Sequence, residues 1–197
     1  MKINPTLKLM IIGVGGAGNR VINQLITNSD NGDQATFIAI DHAYGTLATS
    51  KAKHILNLNS DNTFALVSFT KPSTIQKALS EKYAEISQLF TDTDVAIIVA
   101  SFGGNVGTIA TPVIAKAAKE MGVMTLSVIT TPPHFEGSKR LQAARDGIHG
   151  LLEVCDFTSI IKAQDVLEDE NQKIGMRKFF NLLSTVHTQA VTTLYKS

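Results

Sequence analysis

Two glycine-rich stretches carry residue types suited to holding an anion. In Gly13-Val14-Gly15-Gly16-Ala17-Gly18-Asn19 the glycines permit a sharp turn that brings several backbone N–H groups to one spot. Ser101-Phe102-Gly103-Gly104-Asn105-Val106-Gly107-Thr108 offers a second set. The first stretch follows an apolar run over residues 7–12 and precedes Val21, Ile22, Leu25 and Ile26 at helical spacing. The turn therefore leads into a helix N-terminus, whose partial positive charge adds to the attraction for a nucleotide phosphate.

The elements that must position these stretches are read from periodicity. Residues 7–12, 35–40, 54–58, 94–100, 125–130 and 157–161 are apolar runs of strand length, most of them without alternation, as in a parallel sheet covered on both faces. Between them lie helical patterns: Val21 to Ile26; Ile75, Leu79, Tyr83, Ile86 and Leu89 or Phe90; an alanine-rich segment over 112–121; Leu141, Ala144, Ile148, Leu151 and Leu152; and a final helix from about Gly175. Residues 28–33 read as a plain turn, 59–70 as polar and irregular, and the segment after the last strand as a polar loop. This alternation predicts an α/β fold, a three-layer Rossmann-like parallel sheet with helices on both faces. Ligands of such sheets sit beyond the C-terminal strand ends, where both glycine loops and the loop around Glu136 belong.

Bulk properties narrow the function. The 197 residues suit one domain, 44% apolar and 18% charged. A net charge of +1 offers no pull on nucleic acid or on an anionic membrane. No apolar run approaches the ~20 residues of a membrane span, and Met1-Lys2-Ile3-Asn4-Pro5 has no secretory character. One cysteine, Cys155, suits a reducing compartment, so a cytoplasmic location is expected. The five histidines have no metal-ligand spacing, and no metal site is expected of the protein itself.

Gly13-x-Gly15-x-x-Gly18 after a strand, with Asp41 closing the second strand, fits a dinucleotide-binding fingerprint and makes NAD one alternative. The second glycine loop is redundant for a dinucleotide and useful for a triphosphate. Gly13 to Asn19, Phe37-Ile38-Ala39-Ile40, Phe102-Gly103-Gly104-x-x-Gly107-Thr108-x-x-x-Pro112-Val113, Ala118-Lys119-Glu120-Met121-Gly122 and Phe135-Glu136-Gly137-x-x-Arg140 together resemble the N-terminal GTPase domain of the FtsZ/tubulin family. The resemblance implies a cytoplasmic cell-division protein that binds GTP or GDP, with magnesium as an accompanying ion. It implies that Gly15, Gly16, Ala17 and Asn19 hold phosphates from one side and Gly103, Gly104, Asn105, Val106, Gly107 and Thr108 from the other. Glu136 would bond the ribose hydroxyls, Arg140 would reach a phosphate, and Phe180 would stack on the base, with Ser184 at the family's guanine-reading Asn. These are fitting chemistries: donors and a cation for phosphate, a carboxylate for a diol, an aromatic face for a base.

The sequence departs from the family where chemistry happens. Asn105, Val106 and Ile109 replace a Gly, a Thr and a Gly of the phosphate signature, so a hydroxyl is lost and branched bulk is added beside the phosphates. Asp41-His42-Ala43 stands where the family has Asn-Thr-Asp, and residues 59–70 lack the loop that senses the terminal phosphate. The family's acidic loop and C-terminal domain lie beyond Ser197. A single-domain protein with weak or partner-dependent GTPase activity is expected, with a non-hydrolysing protein that caps or regulates full-length FtsZ, or self-associates, as the alternative. In the last helix Phe179, Phe180, Leu183, Val186, Ala190, Val191 and Leu194 share one arc, with Asn181, Ser184, Thr185, Thr188, Gln189 and Thr192 opposite, which predicts a surface helix.

Overall fold

The structure, a computed structural model, describes residues 7–28, 35–59, 71–169 and 175–196. Six strands, β1 (Leu9–Val14), β2 (Ala35–Asp41), β3 (His54–Asn57), β4 (Val95–Ser101), β5 (Met124–Thr131) and β6 (Phe157–Lys162), form one parallel sheet in the order β3-β2-β1-β4-β5-β6. The helices are α1 (Gly15–Asn28), α2 (Tyr44–Ala48), α3 (Pro72–Glu81), α4 (Tyr83–Gln88), α5 (Asn105–Glu120), α6 (Ser138–Leu152), α7 (Ala163–Asp169) and α8 (Met176–Lys196). The expected three-layer parallel architecture is present.

β1 lies at the centre because it is apolar on both faces. Met10, Ile12 and Val14 join the core under α3, α4, α5 and α6, while Ile11 points the other way to Val21, Ile22 and Leu25 of α1 and Val191 of α8. This is the period-2 alternation of a strand buried on both sides. β1 pairs with β2 on one edge and β4 on the other, so the sheet's winding reverses between β1 and β4. That reversal opens a crevice at the strand ends, from which α1 and α5 both depart.

Several elements differ from the sequence expectation. The helix expected over 112–121 begins at Asn105, so Pro112 lies inside it, and the second half of the second glycine loop is its first turn. The long helix after residue 72 is two, α3 and α4, separated at Lys82. α2 lies in the segment between β2 and β3, where the periodicity places no helix, and α7 fills the start of the segment after the last strand that reads as a polar loop. The turn over 29–33 and the irregular stretch 60–70 lie outside the described residues.

The surface-helix expectation for α8 is corrected in detail. Asn181, Thr185 and Gln189 are exposed, but Ser184 and Thr188, assigned to the polar arc, are buried at 7% and 8% exposure. Both hydroxyls donate to Gln24 Oε1 on α1, at 3.1 and 2.7 Å, so the buried arc is rotated toward α1. Hydrogen bonding makes that polar contact tolerable inside the fold.

Candidate functional site

The C-terminal ends of β1, β2, β4 and β5 and the first turns of α1, α5 and α8 enclose a cleft of about 740 Å³. This is within the range of small-molecule sites, roughly 300–1,000 Å³. Its floor is built by glycines that admit no side chain. Gly15 has φ +72°, and a Cβ there would meet the Gly107 nitrogen at 3.3 Å, so the N-termini of α1 and α5 are in contact. A Cβ on Gly107 would lie 2.3 Å from the Ser101 carbonyl oxygen, and one on Gly18 2.2 Å from that of Val99. These two glycines let the helices press against the strand ends. Gly16 and Gly104 instead have open space where a Cβ would stand, with only Thr46 Oγ1 within 4 Å of the first. No side chain caps α5, whose N-cap is Gly104. Two helix N-termini thus present backbone to one cleft.

Of the expected residues, Gly15, Gly16, Ala17, Gly104, Asn105, Val106, Gly107, Glu136, Arg140, Phe180 and Ser184 line this cleft together. Asn19, Gly103 and Thr108 stand behind its wall. Asn19 is buried, and its Nδ2 donates to the carbonyls of Gly15 (3.0 Å) and Ile40 (3.3 Å), tying α1 to the end of β2; its Oδ1 has no partner among the described residues. Thr108 Oγ1 accepts from the Gly103 N–H at 2.8 Å and closes the turn that presents Gly104. Both hold the backbone that faces the cleft. Ile109, expected to crowd the phosphates, packs on the core beneath α5; Val106 does face the cleft.

Two carboxylates reach the cleft, and both are engaged. Asp41 Oδ1 accepts from the backbone N–H groups of His42 (2.7 Å) and Ala43 (3.2 Å). Burial raises its pKa, with those backbone bonds pulling the other way. Glu136 Oε2 accepts from Arg140 Nη1 at 2.5 Å, an i,i+4 pair in which the acid is largely covered and the guanidinium half exposed. Phe180 lies 5.1 Å from Phe179 between ring centroids, tilted by 57°, and Phe179 meets Phe135 edge-on at 5.8 Å. His187 is buried at the cleft's edge, its Nε2 2.8 Å from the Val128 carbonyl, and desolvation holds its pKa down at about 4.

Arg20, His42, Thr46, Arg177 and Asn181 also line the cleft and are not found by reading the sequence. Helical spacing holds a signal for three of them: Arg20 is four residues after Gly16, Arg177 is three before Phe180, and Asn181 is four after Arg177. Among the described residues no group of three or more His, Cys, Asp or Glu is arranged to hold a metal. None of the described helices is long and apolar enough to cross a membrane.

A parallel sheet with a glycine-floored crevice at its winding reversal defines a nucleotide-type α/β domain. The profile of the tubulin/FtsZ family, GTPase domain, matches residues 8–170. Cell division protein FtsZ of Aquifex aeolicus is 33% identical over 189 residues, covering 96% of this chain and 51% of the relative. That of Mycoplasmopsis pulmonis is 34% identical over 190 residues, covering 96% and 48%. The FtsZ dimer of M. jannaschii superimposes with a TM-score of 0.87 at 28% identity, covering 95% of this chain and 54% of that one. The chain belongs to the tubulin/FtsZ family, and it spans about half the length of the relatives it matches.

Proposed function

We propose that this chain binds a guanine nucleotide, GTP or GDP, in the cleft between α1, α5 and α8, and turns it over weakly or only with a partner. The observation that carries this reading is the contact of the α1 and α5 N-termini at Gly15 and Gly107, beneath a cleft that opens over Gly16 and Gly104. Backbone N–H groups of both first turns would hold the phosphates, and Arg140 would add charge at the cost of its pairing with Glu136. Freed from that pair, Glu136 would accept from ribose hydroxyls. Phe180 would lie against the base. Magnesium would sit on the phosphates themselves, since the donor set among the described residues supplies no cluster for it.

Weak turnover follows from the same side chains. Hydrolysis needs a group that orients the attacking water and charge that stabilises the transition state. Asp41 is held by two backbone N–H groups, Glu136 would be committed to the ribose hydroxyls once nucleotide is bound, and Val106 brings no hydroxyl. A partner would have to supply the missing acid.

Calorimetric titration with GTP, GDP, ATP and NAD, with and without magnesium, tests the reading. Saturable binding of GTP and GDP, with NAD at least roughly tenfold weaker, is expected. Preferential binding of NAD would replace the guanine reading by a dinucleotide one, and binding of none would remove both.

A further inference from the structure

The parallel sheet has two edges, β3 and β6. β3 is four residues long, and a short edge strand is itself a protection against pairing with another chain. β6 runs over six residues, Phe157-Thr158-Ser159-Ile160-Ile161-Lys162, rich in the β-branched and aromatic types that suit a strand. It holds no proline, its register with β5 runs without a bulge, and its one charge is its last residue. Among the described residues no strand pairs with its outer edge. Exposed apolar side chains flank that edge on both faces of the sheet. Phe157, level with Leu126 on the α8 face, is 49% exposed, and Met124, two residues before Leu126, is 56% exposed. Ile160, level with Ile129 on the α6 face, is 40% exposed. No residue of β6 lines the cleft.

We propose that this edge is an interaction surface for a second copy of the chain, joined β6 to β6 in antiparallel pairing about a two-fold axis through Ser159. A two-fold axis normal to the sheet keeps each helix layer on its own side, so only residues that point to the same face can stand opposite each other. Centred on Ser159, it sets Phe157 against the partner's Ile161, Thr158 against the partner's Ile160 and Asp156 against the partner's Lys162. These are an aromatic–β-branched pair, a pair of β-branched residues and a pair of opposite charges, each made twice. Asp156 and Lys162 are both exposed, and Asp156 spends Oδ2 on the Thr125 N–H at 2.8 Å, which leaves Oδ1 to meet the ammonium. Moving the axis one residue either way sets Asp156 against Ile160 or Lys162 against Thr158 and loses the charge pair. The contact closes as a dimer, whereas β6 on the β3 edge of another copy would grow without end.

A six-residue edge is smaller than the roughly 800 Å² per partner of a standard interface, so the dimer should be weak and concentration-dependent. Sedimentation velocity of the full chain without nucleotide, from about 1 to 200 μM, should show monomer passing to dimer. Ile160→Lys should raise the dimer dissociation constant at least roughly tenfold, with circular dichroism to show that the exposed substitution leaves the fold intact. In a Cys155→Ser background, Ser159→Cys should be trapped as a disulfide-linked dimer under mild oxidation. Ile161→Cys should not, because the pairing puts it about 13 Å along the strands from its own copy. A chain that stays monomeric at the highest concentration overturns the proposal. So does a dimer that survives Ile160→Lys unchanged or is not trapped through Ser159→Cys, since it would use another surface. Assembly that grows past the dimer overturns it too, as a β6–β3 contact would give. None of these outcomes bears on the nucleotide reading, which the calorimetry above tests by itself.

Discussion

At residue scale the site depends on positions where a methyl group cannot be added. A Cβ on Gly107 would lie 2.3 Å from the Ser101 carbonyl oxygen, backbone that cannot swing aside. Gly107→Ala should displace the first turn of α5, lower stability by about 1–3 kcal/mol and lower GDP affinity at least roughly tenfold. Gly104→Ala, where a Cβ meets nothing within 4 Å of protein, should leave stability nearly unchanged. Urea denaturation and calorimetry on the two variants separate these outcomes; equal stability loss in both would contradict the geometry. His187 gives a pH dependence. Its folded-state pKa of about 4 lies below the unfolded value of about 6.5 because burial disfavours the imidazolium. The unfolded chain therefore binds the extra proton, and stability, fully present above about pH 6.5, is lost as pH falls toward 4. On the order of 3 kcal/mol is at stake. Melting curves from pH 7 to pH 4.5 should show this loss, and His187→Gln should flatten it.

At element scale the contact between α1 and α8 decides how the far side of the cleft is placed. Gln24 accepts two hydroxyl hydrogen bonds from buried Ser184 and Thr188, and Thr188 also reaches the Ser184 carbonyl at 2.8 Å. Gln24→Ala leaves the buried Ser184 hydroxyl short of a partner, while Thr188 keeps the Ser184 carbonyl, and should cost about 1–3 kcal/mol, read as a lowered urea midpoint. Gln24→Glu keeps an acceptor and should cost less. This contact also explains what the sequence could not disclose. β1 and β4 are legible because uninterrupted apolar runs have few alternatives to a strand buried on both faces. The start of α5 is easily misplaced because Pro112 mimics the first position of a helix, whereas the helix is set by the turn at Gly104, two turns earlier. The arc of α8 is hard to judge because Ser184 and Thr188 are satisfied by a residue 160 and 164 positions away, a pairing no local pattern encodes. Asn19 and Thr108 read as ligand contacts because they lie in glycine-rich motifs. Their side chains instead bond to the backbone that makes those motifs rigid.

At the scale of the whole molecule, the winding reversal between β1 and β4 brings the starts of α1 and α5 to one crevice, which the start of α8 also lines, and family membership agrees with that layout. The chain matches about half of each FtsZ relative, so assembly and turnover are separate questions from binding. We expect GTP turnover by the chain alone to be at or near background in a phosphate-release assay. Steady multiple turnover without a partner would contradict the view that Asp41 is committed to backbone N–H groups and Glu136 to the ribose. We also hypothesise that the nucleotide face docks on one end of a full-length FtsZ filament, since the chain matches about half of each FtsZ relative. Light scattering of assembling FtsZ with substoichiometric chain should show reduced polymer mass; an unchanged signal would sink the idea.

The central claim is that one guanine nucleotide sits across the N-termini of α1 and α5. An amide-resolved NMR titration of the labelled chain with GDP tests it most directly. The account predicts saturable shifts concentrated at Gly15, Gly16, Ala17 and residues 104–107, with a second group around Phe180. Shifts confined to other parts of the sheet, or none at saturating GDP, would contradict it.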